Sequence, residues 1–332
     1  MRNQAGPLFL LAASGFFQAA FALPVRHLRQ WRWEQMWVAQ SVTANLLFPL
    51  SWAALAPAAF WSQAAHLPRS HWIAAYAWGL IWGMGGAAWG LTMTRLGMAF
   101  SNSFVFGVTT MTGALLPLAV NVVESPPRPT LFAAGLALCV LTTVLIGVLR
   151  RHGGQDPLLP MPALFHSYRA IVPVALFAGF SSAGYGLAFT FSFTHIRALM
   201  AGGVSQLSAS LVVVLPVYLG AASVAIPLGA LVAARSHGLP LFLGRHATWN
   251  WSLAAVMGLC ATVSAVLYGF AGSAGHPSPN VSFGVFISFL VLGSNVMGLS
   301  TGELRGCSRW VSAGMLFGAG GLVAGAWLLN AR

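Results

Sequence analysis

Charged residues are scarce in this chain, and one charged residue type is missing altogether. The sequence contains no lysine, and Asp and Glu together number only four among 332 residues. Charged residues make up 6% of the chain, against about a quarter in a typical soluble domain. This shortage excludes an ordinary soluble globular protein.

Patterns that support catalysis or metal binding are also absent from the sequence. It has no HExxH motif, no paired carboxylates inside an apolar run and no phosphate-binding glycine loop. The three cysteines, Cys139, Cys260 and Cys307, lie in or beside apolar segments without metal-ligand spacing, so we expect buried thiols rather than disulfides. We therefore expect no enzyme activity, no cofactor and no metal site.

Apolar segments fill nearly the whole chain. Hydrophobic residues account for 58% of the sequence, and the mean hydropathy is +0.77. A membrane-spanning helix needs about 20 apolar residues, so the length admits about ten spans joined by short loops. The sequence predicts an all-α membrane protein of about ten transmembrane helices, with residues 8–23 retained as part of the first helix and no separate soluble domain.

One polar interruption divides the chain near its middle. Residues 150–161 read RRHGGQDPLLPM, and this mixture of charges, paired glycines and prolines is typical of a linker. We therefore predict a first five-helix unit over residues 1–149, a cytoplasmic linker over residues 150–169 and a second five-helix unit over residues 170–332.

Short motifs recur on the two sides of this linker. Gly15-Phe16-x-x-Ala19 returns 164 residues later at Gly179, and Ala88-Trp89-Gly90-Leu91 has a counterpart 179 residues later, centred on Tyr268. A single match could arise by chance, but the order of the matches favours a duplicated unit. Because five is odd, the second copy would cross the membrane in the opposite sense. The prediction is two inverted five-helix repeats, a plan that many secondary transporters use.

The sixteen arginines lie singly or in small groups between apolar runs. The formal net charge of +12 is therefore better explained by membrane topology and contacts with the lipid bilayer than by nucleic-acid binding. Eleven arginines fall in the linker and in loops after odd-numbered spans, and five fall on the other side. The positive-inside rule then predicts a cytoplasmic linker and both termini outside.

Glycine is concentrated in residues 82–98, which read WGMGGAAWGLTMTRLGM. Gly83, Gly85 and Gly86 crowd one and a half turns of a helix, and Trp89 follows directly. Small residues let membrane helices approach each other closely. The stretch is therefore either a helix-packing surface or, with the large ring of Trp89, one wall of a cavity.

Several motifs together resemble the pattern of one transporter family. These motifs are Trp31-x-Trp33-Glu34-x-Met36-Trp37, Trp82-Gly83-x-Gly85, Gly90-Leu91-Thr92-Met93-x-x-Leu96-Gly97-Met98, Gly113, Pro117 and Ser182-Ala183-Gly184. In them the chain is similar to the bacterial L-rhamnose-proton symporter family, a branch of the drug/metabolite transporter superfamily. The resemblance implies ten helices in inverted repeats, sugar transport, proton coupling and a bacterial inner-membrane location. The chain departs from the family's pattern at Gly86 and Ala88, where the sugar symporters carry asparagines, and near Pro279, where an acidic residue is missing.

A sugar site needs hydrogen-bonding side chains and an aromatic ring that face one cavity. Gln18 and Ser182 occupy equivalent places in the first repeated motif, and Trp89 and Tyr268 occupy equivalent places in the second. Serines in membrane helices also bond to their own backbone, which is the alternative reading of the serine candidates. The predicted substrate-binding residues are Gln18, Trp89, Asn102, Ser181, Ser182, Tyr185, Tyr268 and Asn295.

Glu34 is the candidate for proton coupling. It lies at the start of the second span between Trp33 and Trp37, where partial desolvation would favour proton uptake. The alternative is that Glu34 pairs with Arg26, Arg29 or Arg32 and fixes a cytoplasmic helix end. The other acidic residues are expected in loops or at an interface, and they are Glu124, Asp156 and Glu303.

The leading hypothesis is a secondary active transporter that carries a small polar metabolite, most simply a sugar or deoxysugar, by proton symport with alternating access. Within the same superfamily, the alternative is an exporter or exchanger of amino acids, nucleotide sugars or hydrophobic compounds. A membrane enzyme would need converging acid, base or metal groups, and a sensor would need a soluble output domain. Both therefore fit the sequence less well.

Overall fold

The computed structural model describes residues 5–119, 128–152, 167–273, 279–302 and 308–329. Within these ranges the chain is helical and contains no β-strand. Two short 3-10 turns, Leu23–His27 and Leu239–Leu243, follow α1 and α10. The helices are α1 Ala5–Ala20, α2 Trp33–Ser41, α3 Phe48–Ala54, α4 Ala58–Ala64, α5 Arg69–Leu96, α6 Met98–Ala119, α7 Pro129–His152, α8 Tyr168–Ala201, α9 Gln206–Ala209, α10 Leu211–Arg235, α11 Ala247–Ser273, α12 Pro279–Ser300 and α13 Arg309–Leu329.

The length and composition of these helices identify a multi-pass membrane protein. Eight described helices are long and apolar enough to cross a membrane. A ninth is added if Trp33–Ala54 and Ala58–Ala64, which meet at a bend of 107°, count as one span. Helix α5 is not among them despite its 28 residues, because glycine and tryptophan contribute little to its hydropathy. The predicted all-α membrane class is thus confirmed, with eight or nine candidate spans.

The second span contains a widened turn of π-helix over Val42–Leu47, between α2 and α3. Pro49 has no N–H, so it cannot donate to the carbonyl of Asn45 four residues earlier. The backbone N–H of Phe48 instead donates to the carbonyl of Thr43, which is a π-type hydrogen bond. Asn45 lies within this widened turn.

Helix α5 packs along α8 and α10. Helix α1 packs against α11 and α12, α6 against α8 and α12, and α7 against α13. At the crossing of α5 and α10, a Cβ atom on Gly79 would collide with the backbone of Val217, and one on Gly220 with the backbone of Tyr76. Such close approach of small residues is how helices associate in lipid.

A proline in α10 is compensated by a histidine of α5. Pro216 lies inside the helix and removes the N–H that would donate to the carbonyl of Val212. The Nε2 atom of His71 lies 3.1 Å from that carbonyl oxygen and donates to it. The helix therefore continues through the proline without leaving a carbonyl unpaired in the bundle.

Most of the predicted linker lies outside the described residues. Its first residues, 150–152, continue α7, and Tyr168 near its end begins α8. The division into residues 1–149 and 170–332 remains a prediction. Four residues singled out in the sequence also lie outside the described part, namely Glu124, Asp156, Glu303 and Cys307.

We expect alanine at Gly79 or Gly220 to destabilise the fold, because the added Cβ would overlap backbone atoms of the neighbouring helix. The expected cost is about 1–3 kcal/mol, the usual penalty for overpacking. Thermal unfolding in detergent, followed by the reaction of buried Cys139 with a thiol dye, measures it. Gly320→Ala is the matched control, because a Cβ there would meet nothing within 4 Å. Equal unfolding temperatures for all three variants would contradict close packing of α5 on α10.

Candidate functional site

A central cavity lies between helices from both parts of the chain. Its lining residues come from α1, α2, α5, α6 and the π turn in the earlier part of the chain, and from α8, α10, α11 and α12 in the later part. None of the described residues that line it carries a charge. Its polar lining residues are Gln18, Gln40, Asn45, Thr109, Ser182, Tyr185, Tyr218 and Ser264.

Four of the predicted binding residues line this cavity together. Gln18 and Trp89 come from α1 and α5, and Ser182 and Tyr185 come from α8. Within the described part of the chain, Gln18 makes no hydrogen bond, so its amide can pair with a ligand. The two residues predicted as repeat-related, Gln18 and Ser182, thus lie on the same cavity from opposite halves.

Trp89 contributes a fixed ring face to the cavity. Its Nε1 atom donates to Oδ1 of Asn102 at 2.7 Å, and Nδ2 of Asn102 donates to Oγ of Ser294 at 2.6 Å. The ring stacks on Phe21 at 5.4 Å and meets Phe106 edge-on at 5.8 Å. Because the indole N–H is already bonded, Trp89 has mainly its aromatic surface to offer a ligand.

The other four predicted residues lie outside the cavity lining. Asn102 holds Trp89, and Nδ2 of Asn295 donates to Oγ of Ser103 at 2.8 Å. Ser181 lies against Gly85 of α5. Tyr268 is buried behind the cavity, with ring centroids 5.9 Å from Tyr185 and 5.3 Å from Phe286. In this structure these residues support or border the lining side chains rather than facing the space itself.

The sequence-based prediction did not include several residues that line the cavity. Gln40 and Asn45 are isolated amides within the apolar second span, and polar groups in membrane helices are a general sign of function. That signal could have identified both. No comparable sequence signal distinguishes Tyr218, Trp37 and Trp82, because aromatic residues occur throughout these helices.

Two groups of aromatic rings form part of the cavity wall. In one group, the ring centroid of Trp82 lies 5.2 Å from that of Tyr185 and 5.0 Å from that of Tyr218. In the other group, Trp37 and Trp89 meet at 86° with centroids 6.5 Å apart. Amides, hydroxyls and apolar rings in one lining suit an uncharged ligand that has both hydroxyl groups and apolar faces.

At one end of the bundle, residues 29–35 pack against residues 236–250, and we call these contacts the end seal. Nε1 of Trp31 donates to the carbonyl of Leu241 at 2.9 Å, and Nε2 of Gln35 donates to that of Gly238 at 3.0 Å. The amide of Asn250 bonds to both the N–H and the carbonyl of Arg29. These bonds close the bundle at the ends of α1, α2, α10 and α11.

Glu34 lies inside the end seal and is only 2% exposed. Its Oε1 atom accepts a hydrogen bond from Oγ of Ser236 at 2.7 Å and lies 3.9 Å from Nη1 of Arg32. Nη1 of Arg32 also donates to the carbonyl of Ser236 at 3.1 Å. The carboxylate therefore has an arginine neighbour, as the alternative reading of the sequence proposed, and it is also buried.

Metal ligands do not converge anywhere in the described part of the chain. No group of three or more His, Cys, Asp or Glu side chains there could hold a metal ion. His71 and His195 lie close together, with ring centroids 4.5 Å apart, but they form only a pair. The central cavity is therefore the best-supported candidate site.

Comparison with known proteins identifies the family. Residues 7–328 match the family described as L-rhamnose-proton symport protein (RhaT). L-rhamnose-proton symporters of Salmonella paratyphi B, Salmonella newport and Salmonella enteritidis PT4 are each 26% identical to the chain over 200 residues. The aligned region covers 58% of this chain and spans 57% of the length of these relatives. The resemblance inferred from the sequence motifs is therefore confirmed. Because the family match extends over nearly the whole chain, the protein belongs to the L-rhamnose-proton symport protein family, whose members are transporters and not enzymes.

Proposed function

We propose that this protein is a secondary active transporter of an uncharged sugar or deoxysugar, similar to rhamnose, which it carries by proton symport across the bacterial inner membrane. The observation that supports this most directly is the central cavity, which combines amides, hydroxyls and aromatic rings without a charged side chain. Sugars offer hydroxyl groups at the ring edge and C–H groups on the ring faces. The relatives named as L-rhamnose-proton symporters support the same substrate class.

The alternative substrates fit the cavity less well. Amino acids and nucleotide sugars carry charges, and a charge moved into a low-dielectric site needs an opposite charge beside it. None of the described lining residues supplies one. Hydrophobic compounds would leave the amides of Gln18, Gln40 and Asn45 without new partners. A neutral polyhydroxylated ligand satisfies both the rings and the amides.

Matched glycine contacts support two inverted repeats. Gly79 of α5 approaches Val217 of α10, and Gly258 of α11, 179 residues after Gly79, approaches Thr43 of the second span. Helix α5 therefore contacts α10 in the way that α11 contacts the second span. Each contact joins one helix of the first half to one helix of the second half, and the two contacts use equivalent helices with the halves interchanged. An inverted duplication would produce this relation.

A second pair of glycines behaves in the same way. Gly15 of α1 lies against the backbone of α12 at Phe286, and Gly179 of α8 lies against α6 at Val105 and Val108. These are the glycines of the recurring sequence motif. We propose ten spans in two repeats, with α5 included, and with both termini outside as the arginine distribution predicts.

The position of the end seal supports alternating access as the transport mechanism. The seal joins the connection after α1 to the connection after α10, and both fall on the side predicted to be cytoplasmic. Its bonds run from residues 29–35 of the first half to residues 236–250 of the second. The cavity would open to the cytoplasm when these bonds break and the halves rotate apart.

Glu34 couples this opening to a proton in our proposal. It is the one acidic residue in the described part of the chain, and it contributes to the seal through Ser236 and Arg32. Protonation removes the negative charge that attracts Arg32, so the seal weakens when Glu34 binds a proton. A proton gradient would then favour opening towards the cytoplasm with sugar bound.

Sugar transport itself is tested in proteoliposomes with labelled L-rhamnose and a panel of related sugars. We expect accumulation driven by an inward proton gradient, and counterflow without a gradient. Trp89→Ala should lower the apparent affinity about tenfold or more, because it removes an aromatic wall and its apolar contacts. Trp310→Ala is the control, because Trp310 is 86% exposed and lies far along the chain on α13. Absence of both accumulation and counterflow for every sugar would refute the proposed function.

Glu34→Gln tests the coupling step separately. We expect this variant to lose gradient-driven accumulation and to keep counterflow, because the side chain keeps its shape but no longer exchanges a proton. Ser236→Ala serves as the control, since it removes a hydrogen bond of Glu34 and leaves its carboxyl group in place. Accumulation by Glu34→Gln at the level of the natural protein would exclude Glu34 as the proton carrier.

A further inference from the structure

Trp37 is placed on the cavity by two glycines of α5. It is 3% exposed and belongs to the cavity lining. A Cβ atom added to Gly86 or Gly90 would meet the six-membered ring of Trp37. The glycines thus form a groove in α5 that holds this ring flat against the helix backbone. A fixed ring keeps its N–H group in a fixed direction.

The side of the Trp37 indole that carries Nε1 lies nearest to Gly86. The ring atoms nearest Gly86 are Cζ2 and Cη2, on the side of the indole that carries Nε1. The atoms nearest Gly90 are Cε3 and Cζ3, on the opposite side. Gly86 lines the cavity and Gly90 does not. The Nε1 side of the ring is therefore the side packed against a glycine that lines the cavity.

This N–H group has no partner. Nε1 of Trp37 is buried and makes no hydrogen bond to any residue that the structure describes. Other indoles nearby are bonded, since Trp89 donates to Asn102 and Trp31 donates to the carbonyl of Leu241. Leaving a buried donor unpaired is unfavourable, so such groups are rare unless something else pairs with them.

We propose that the indole N–H of Trp37 donates a hydrogen bond to the transported substrate, with a hydroxyl or ring oxygen of a neutral sugar as acceptor. This role rests on the proposed function of the cavity. Trp37 would then determine specificity, because a sugar without an oxygen at the matching position leaves the indole unpaired. Trp89, perpendicular to it, faces the apolar side of the same ligand.

Trp33 offers a matched control on the same helix. It lies one turn before Trp37, its ring is parallel to that of Trp37 at 6.4 Å, and its Nε1 atom is also buried without a partner. Trp33 is not among the residues that line the cavity. Replacing either residue by phenylalanine removes one unpaired N–H and keeps an aromatic ring. Only the change at position 37 should alter sugar binding.

The experiment measures binding of L-rhamnose and its singly deoxygenated analogues to purified protein by calorimetry. Trp37→Phe should weaken the binding of L-rhamnose about three- to tenfold, which corresponds to one neutral hydrogen bond, while Trp33→Phe should stay within about twofold. One deoxy analogue should bind the natural protein and Trp37→Phe equally, because the oxygen that accepts the bond is missing. This analogue identifies the acceptor.

Three outcomes overturn the proposal in distinguishable ways. If the natural protein binds sugar and Trp37→Phe binds it equally well, Trp37 is not the donor and the proposed function stands. Equal weakening in Trp33→Phe would assign the effect to packing of α2. If no sugar binds the natural protein, the proposed function and the role of Trp37 both fail. Should Trp37→Phe not fold, site-specific replacement of Trp37 by benzothienylalanine, which has sulfur in place of N–H, gives the same test with an isosteric ring.

Discussion

The structure depends on a strip of α5 that carries no side chains. Gly79 and Gly83 let α10 approach the helix backbone, Gly85 receives Ser181 of α8, and Gly86 and Gly90 receive the ring of Trp37. Between lipid-facing helices there is no hydrophobic driving force comparable to that in water, so close packing of this kind contributes much of the association energy. The two readings of the glycine stretch are therefore both correct. The same residues pack helices and shape one wall of the cavity.

Many polar groups inside the bundle are paired with each other. Asn102 joins Trp89 to Ser294, the amide nitrogen of Asn295 bonds to Ser103, and His71 donates to the carbonyl exposed by Pro216. Each bond removes a polar group from contact with apolar surroundings, where an unpaired group is costly. The amide of Gln18 and the indole of Trp37 have no partner among the described residues. Unlike the equally unpaired indole of Trp33, both belong to residues that line the cavity, where a ligand can supply the missing partner.

The helical membrane class and the family could be predicted from sequence, because scarce charge and long apolar runs leave few alternatives. Three cavity residues, Gln18, Trp89 and Ser182, could be predicted because each is a polar or aromatic residue within a recognisable motif, and Tyr185 follows the last of these motifs directly. Asn102 and Asn295 have the same residue chemistry, but the direction in which a helix residue points depends on packing that a sequence pattern does not contain. Asn45 lies in the π turn over Val42–Leu47, where the direction of a side chain does not follow the ordinary α-helical repeat.

The end seal has a consequence for how its two sides tolerate change over evolution. Three side chains of the first half, Trp31, Arg32 and Gln35, donate to backbone carbonyls of the second half, at Leu241, Ser236 and Gly238. A carbonyl is present whatever side chain the residue bears, so these three bonds do not themselves fix the side chains of the residues that accept them. Other contacts do restrict Gly238, where a Cβ would meet Gln35, and Ser236, whose hydroxyl bonds to Glu34. The donors have no freedom in these bonds, because each bond requires a particular indole, guanidinium or amide. Of the six residues that the three bonds join, Leu241 should therefore tolerate sequence change most easily.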